Sequence, residues 1–237
     1  MSFTTGLAEA LRLRQSDVVS ELRNGDTLEQ VLDRHLLTVE RMSDSEILTS
    51  VLLLSEDGEH LNHGAAPSLP QVYREAIDGS QIGPSAGSCG TAAYLGRPVY
   101  VTDIASDPLW AAYRDLALPH GLRACWSTPI RHKGGEVLGT FAIYHRTLGG
   151  PTRDELNTID IITDNVAKAI VCARGPTARN QVNDMLPRQV AALQAIAGAI
   201  SQQSAELDAD GQAAVDAILD ASDRLADVIR RQLAELN

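Results

Sequence analysis

Eight residues, Ile47-Leu-Thr-Ser-Val-Leu-Leu-Leu54, carry no charge and almost no polar alternation, so they predict a strand buried on both faces in the middle of a sheet. Such a strand needs a neighbour along each edge and a packed layer on each side, which sets the plan for the chain around it. Asp57-Gly58 predicts a tight hairpin turn into a strand near His60 to Ala65. Upstream, Leu7, Leu11, Val18 and Leu22 fall near one face of a helix between Thr5 and Arg23, closed by Asn24-Gly25. Thr27 with Gln30 three residues later is a capping-box start, and Leu28, Val31, Leu32, Leu36 and Val39 place a second amphipathic helix, reaching about Met42, against the sheet.

Downstream, Leu69 to Ile77 reads as a short helix, Cys89 to Leu95 as another, and Pro98 to Asp103 as a strand. Asp107-Pro108 pairs an N-cap with proline at the first helical position, predicting a helix to about Leu118. Ala124 to Arg131 and Glu136 to Arg146 form a hairpin around Lys133-Gly134-Gly135. A helix from Thr152 to Ala173 follows, with Gly175-Pro176 as its stop.

Three segments in this order, Ile82-Gly-Pro-Ser-Ala-Gly-Ser-Cys-Gly-Thr-Ala-Ala-Tyr94, Asp103-Ile-Ala-Ser-Asp-Pro-Leu-Trp110 and Arg123-Ala-Cys-Trp-Ser-Thr-Pro-Ile130, resemble the core of GAF domains. The resemblance runs from about Thr27 to Arg174. It implies an α/β (α+β) fold with a central antiparallel sheet flanked by helices, of the kind bacterial signalling proteins use to hold a ligand or relay a dimer signal.

Beyond residue 174 the pattern changes. Leu186, Val190, Leu193, Ala197, Ile200, Ser204 and Leu207 form a heptad seam, and after Asp208 and Asp210-Gly211 a second seam runs through Val215, Ile218, Ser222, Leu225, Ile229 and Leu236. The expected organisation is therefore an N-terminal amphipathic helix over 1–26, a GAF domain over 27–174 and a C-terminal α-helical hairpin over 175–237. Two antiparallel helices with wide apolar faces need further partners, so a homodimer through a bundle is expected; the alternative is a hairpin folded back on its own domain. The hairpin looks somewhat like the dimerisation hairpin of sensor histidine kinases. No histidine follows His145, so it carries no phosphoacceptor, and any output passes through the helices or a signalling protein partner.

A net charge of −11, with Lys133 and Lys168 as the only lysines, leaves no basic patch for nucleic acid. No apolar stretch approaches the roughly 20 residues that span a bilayer, and no secretory signal opens the chain, so no membrane association is expected. Cys89, Cys125 and Cys172 are odd in number and widely spaced, unlike a disulfide framework, which fits a reducing cytoplasm.

The loop Gly83 to Thr91 lacks the Gly-Lys-Ser/Thr ending of a nucleotide loop, and its glycines are read first as a means of turning the chain beneath a helix. Cys89, at that helix start, is either a reactive thiol with a lowered pKa or a small buried hydrophobe. Free methionine sulfoxide reductases are GAF-fold enzymes with a loop similar to Gly87-Ser-Cys-Gly-Thr91. The places of their two further cysteines hold Gly79 and approximately Leu118 here, so the partner thiols of that cycle are missing. Cyclic-nucleotide and bilin signatures are also missing. His60, His63, His120, His132 and His145 show no recurring metal spacing, no metal site is expected, and the cofactor is left open. The resemblance implies Trp110, Tyr113 and His120 over a cavity and Arg123, Cys125 and Tyr144 on strands beneath it, a set that suits a small organic ligand or an ordinary core. Asp103 and Asp107 read as caps of a strand-to-helix connection rather than catalytic acids. The reading is a non-enzymatic sensory or regulatory protein, with a thiol-dependent redox enzyme or oxidation sensor centred on Cys89 as the alternative.

Overall fold

The computed structural model describes residues 3, 6–175 and 211. The expected C-terminal hairpin lies outside these described residues. By contacts the chain divides into two compact units, 1–173 and 174–237.

Two helices open the first unit, α1 (Leu7–Arg23) and α2 (Leu28–Arg41). The expected capping box forms: Thr27 Oγ1 accepts the Gln30 N–H at 3.2 Å while Gln30 Oε1 accepts the Thr27 N–H at 3.0 Å. Strands β1 (Ile47–Leu54) and β2 (His60–Ala65) make the first hairpin. Helix α3 (Gln71–Ile77), the two-residue strand β3 (Ser80–Gln81), helix α4 (Gly87–Leu95) and strand β4 (Val99–Val101) follow. After the short helix α5 (Arg114–Ala117), strands β5 (Ala124–Arg131) and β6 (Val137–His145) form the second hairpin. A last helix, α6, spans 153–175. It opens with a second capping box, Thr152 Oγ1 accepting from the Glu155 N–H and Glu155 Oε2 accepting from the Thr152 N–H.

The six strands lie in the order β3-β2-β1-β6-β5-β4, every adjacent pair antiparallel. Strand β1 is central, as its uniform hydrophobicity predicts, with β2 on one edge and β6 on the other. Alternation along the strands then divides two cores. Val51, Phe141, Ile143, Trp126 and Ile130 face one side with Leu7 and Leu11 of α1, Val31, Leu32 and Leu36 of α2, and Ile162, Val166 and Ile170 of α6. Leu48, Leu52, Ala142, Tyr144 and Cys125 face the other side with Tyr73 and Ile77 of α3, Ala93 of α4 and Trp110. The buried Asn165 amide of α6 donates to the Leu11 carbonyl at 2.8 Å, tying α6 to α1.

One expected element is broken. Instead of a continuous helix from Pro108 to Leu118, Pro108–Trp110 is a single 3-10 turn, α5 is four residues long, and Leu118–His120 is another 3-10 turn. Asp107 does cap the start, its Oδ1 accepting the Leu109 N–H at 2.9 Å. The helix then gives way at Tyr113, whose φ of −118° leaves the helical range, after Trp110 has turned inward to a buried hydrogen bond. Pro119 removes a backbone donor at the far end. Asp103 likewise works as a local cap, accepting from the Ala105 N–H and the Ser106 hydroxyl.

The centre of the sheet tolerates no side chain at position 139. A Cβ on Gly139 would stand 2.1 Å from the Leu52 carbonyl oxygen and 3.1 Å from Leu53 Cα, both backbone atoms of the neighbouring strand. Gly139→Ala is expected to destabilise the unit by about 2–3 kcal/mol through forced strand separation. Gly134→Ala, in the hairpin turn with its nearest atom 3.6 Å away, is expected to stay within about 0.5 kcal/mol. Urea unfolding of the two variants beside the parent chain measures both.

Two histidines are sealed into the helix-covered core. His35 on α2 and His145 on β6 are 1% and 2% exposed, and no ring nitrogen of either has a well-aligned hydrogen-bond partner. Burial pushes both imidazoles down to about 4 from the usual 6.5. The unfolded chain therefore binds the proton first, so this contribution is complete above pH 6.5 and is lost as pH falls toward 4. Each histidine is expected to withdraw about 2 kcal/mol by pH 5. Thermal melts between pH 7 and pH 5 check this: His35→Leu should flatten the decline, and an undiminished slope would refute the assignment.

Candidate functional site

Helix α4 lies across β5 and β6 on the side of the sheet opposite α1, α2 and α6. Its entry is the glycine-rich loop. Gly87 takes φ of +61°, and a Cβ on Gly90 would stand 2.7 Å from the Ala86 Cβ, so both positions depend on glycine. Three of the loop's amides bond within the loop: Ala86 N–H donates to Thr91 Oγ1, Gly90 N–H to the Ala86 carbonyl, and Gly83 N–H to the Gly90 carbonyl. Turning the chain beneath a helix is thus what these glycines do.

A relay fixes the first turn of α4 to its surroundings. Trp110 Nε1–H donates to Ser88 Oγ at 3.0 Å, and the Ser88 hydroxyl donates to the Cys125 carbonyl at 3.1 Å. Tyr113 stands edge-on to Trp110 at 6.5 Å between ring centroids, and Tyr73 edge-on to Tyr144 at 5.8 Å. Between them is a cavity of about 40 Å³ lined by Leu52, Tyr73, Ser88, Cys89, Trp110 and Tyr144, among others. That space admits a few water molecules, far less than the 300–1,000 Å³ typical of organic-ligand pockets.

Of the seven residues expected at the site, Cys89, Trp110, Tyr113 and Tyr144 line the cavity. Cys125 is completely buried beside it, within the same apolar cluster as Cys89. His120 stops one layer out, edge-on to Tyr73 at 6.0 Å. Arg123 is a correction: it precedes β5 and its side chain is exposed, while its backbone N–H and carbonyl bond His145 and Ile104. Among the other histidines, His60 pairs with Asp57 and His63 with Glu29, and His145 packs on Trp126 at 3.9 Å on the opposite face of the sheet. Among the described residues no three His, Cys, Asp or Glu side chains gather as a metal would require.

Sequence reasoning missed the polar floor. Ser50, Ser127 and Thr140 are fully buried on the same face as Cys125 and Tyr144, and their hydroxyls lack well-aligned protein partners. The signal was the two-residue period: once Cys125 and Tyr144 face the α4 side of the sheet, Ser127 and Thr140 do so too. Ser127 and Thr140 lie by the Cys89 sulfur, and Ser50 by the Tyr144 hydroxyl. The Cys89 thiol is pulled down to about 7 by interaction with the Cys125 thiol and then, against the cost of burial, by the hydroxyls of Ser127, Thr140 and Tyr144. Burial pushes the Cys125 thiol and the Tyr73 and Tyr144 phenols well up, so all three remain protonated donors at neutral pH.

Comparison with known proteins agrees with this geometry. The chain is 40% identical over 152 residues to a methyl sulfide methyltransferase-associated sensor from Methanosarcina acetivorans. The match takes in 64% of this chain but only 15% of that protein, so the chain spans a small part of its relative. The GAF domain of a phosphoenolpyruvate-protein phosphotransferase from Coxiella burnetii superposes with a TM-score of 0.55 at 17% identity, covering 72% of this chain and 98% of that one. A free methionine-R-sulfoxide reductase from Neisseria meningitidis, solved with its substrate, superposes with a TM-score of 0.54 at 15% identity, covering 71% and 93%. At such identities the two structures report the fold alone. The GAF domain family profile matches residues 25–171, well over half of the chain, and the chain belongs to that family.

Proposed function

We propose that this chain is a sensory or regulatory GAF protein of the cytoplasm that couples the state of its α4 cavity to a homodimer built by its terminal helices, and through it to a signalling partner. The observation that carries the reading is the cavity itself: the aromatic walls of Tyr73, Trp110, Tyr113 and Tyr144 around a tethered first turn of α4. Aromatic walls with a few polar tips suit a small guest. The sensor description of the Methanosarcina relative supports the same reading. At about 40 Å³ the guest is of few atoms, or Trp110 and Tyr113 swing outward to admit a larger one. Among the described residues no helix is long and apolar enough to cross a membrane. The formal charge of −11 keeps nucleic acid out of the list of partners.

A second reading, an oxidation sensor or thiol enzyme, is favoured by one specific observation, the four hydrogen-bonding groups around Cys89. It requires no organic ligand and uses the same cavity.

Native mass spectrometry of the full chain, freshly purified, tests the first reading. A two-chain mass carrying a small adduct that is lost on denaturation is expected; a one-chain mass at micromolar concentration would remove the dimer, and a bare dimer would remove the retained ligand. The second reading is tested by the pH dependence of alkylation. With a thiol at about 7, Cys89 is expected to show half-maximal iodoacetamide reactivity near neutral pH, while an ordinary thiol does so near 8.5. A Cys89 midpoint at or above 8.5 would dispose of the thiol reading.

A further inference from the structure

One thiol, Cys89, lines the cavity and a second, Cys125, is packed beside it, and the structure treats them differently. Cys89, in the first turn of α4, is partly exposed; Cys125, on β5 beneath it, is wholly buried. The hydroxyl of Ser88 donates to the Cys125 carbonyl at 3.1 Å, so the residue preceding one cysteine is held against the backbone of the other. Both sulfurs belong to one packed cluster, and the Ser127 and Thr140 hydroxyls, fully buried and without well-aligned partners, face the same space. Cys172 lies apart on α6. The places of the reductase family's partner thiols are empty in the sequence; the fold supplies a different partner, Cys125 of β5.

We propose that Cys89 and Cys125 are a peroxide-responsive pair that closes reversibly into an intramolecular disulfide between the first turn of α4 and β5, at the edge of the cavity. The proposal rests on the thiol reading above and adds its second thiol and its oxidant. In the first step the Cys89 thiolate attacks one oxygen of hydrogen peroxide; the S–O bond forms as the O–O bond breaks, and the departing hydroxide takes a proton to leave as water. Sulfur loses two electrons and Cys89 becomes a sulfenic acid. In the second step the Cys125 sulfur displaces hydroxide from Cys89; the S–S bond forms, the S–O bond breaks, and the Cys125 proton leaves with hydroxide as a second water. An external dithiol returns two electrons and two protons and restores both thiols. Exposure sets the order of events: an oxidant entering the cavity meets Cys89 first, and Cys125 is reached only from Cys89. Size sets the oxidant, because about 40 Å³ admits hydrogen peroxide, little larger than water, and excludes bulky organic hydroperoxides. The Ser127, Thr140 and Tyr144 hydroxyls stand where they can donate to the thiolate and to the departing oxygen.

The test oxidises the full chain with stoichiometric hydrogen peroxide, alkylates the remaining thiols and maps peptides without reduction. Alkylation of Cys89 and Cys125 is expected to fall in parallel to near zero, with a Cys89–Cys125 linked peptide appearing, while Cys172 stays fully alkylated; dithiothreitol should restore both sites. Cumene hydroperoxide at the same dose should leave both thiols largely labelled. In Cys125→Ser the oxidised Cys89 is expected to persist as a sulfenic acid trapped by dimedone, and in Cys89→Ser no oxidation of Cys125 should occur. Rapid Cys89 oxidation without loss of Cys125 labelling in the parent chain would overturn the pair yet leave the thiol reading intact. A Cys89 no more reactive than a free thiol would overturn both. The parent-chain measurement decides the matter even where a substitution disturbs folding.

Discussion

Ser50, Ala142 and Ser127 stand abreast on the three central strands, because Ser50 and Ser127 are both registered to Ala142, and this row of small side chains governs the rest of the site. Small residues side by side leave a depression in the middle of a sheet whose other positions carry Leu48, Leu52, Tyr144 and Cys125. Into that depression the first turn of α4 settles. Close approach of a helix requires a chain that enters it sharply and without bulk, which is what Gly87 and Gly90 permit. The cavity is what remains when α4 has descended as far as the Trp110–Ser88–Cys125 relay allows.

Where a property depended on local pattern, the sequence was a good guide. The buried strand Ile47–Leu54, the Thr27 capping box and both hairpins are all statements about period and neighbouring residues. Four of the seven site residues drawn from the family resemblance line the cavity. The continuous helix through Trp110 misled because it depends on whether Trp110 finds a partner inside; Arg123, taken from the resemblance, stands one residue before a strand whose bounds the pattern already gave. The hydroxyl floor escaped notice because Ser and Thr on strands are commonplace. Their meaning comes only from the register that places Ser127 and Thr140 by one sulfur and Ser50 by the Tyr144 hydroxyl. The resemblance put Cys89 and Cys125 at one site, but nothing in the 35 intervening residues says that the two thiols pack against each other.

One layer of backbone separates the cavity from the helix-covered core, and in β5 and β6 consecutive residues face opposite ways. Cys125 and Tyr144, registered to one another, face the α4 side of the sheet; their successors Trp126 and His145 face the other side, their tilted rings 3.9 Å apart between centroids in the core built with α1, α2 and α6. A displacement of Cys125 or Tyr144 is therefore handed across a single peptide to a tightly packed aromatic pair. The Trp126 indole N–H also donates to the Gly149 carbonyl at 2.9 Å, only a few residues before α6 begins. Closely packed interiors transmit strain rather than absorb it, and this path needs no loop to move. A guest in the cavity and a covalent link at its edge would press on the same two side chains. The ligand and thiol readings thus share one mechanical outlet, the Trp126–His145 pair on the helix-covered side of the sheet.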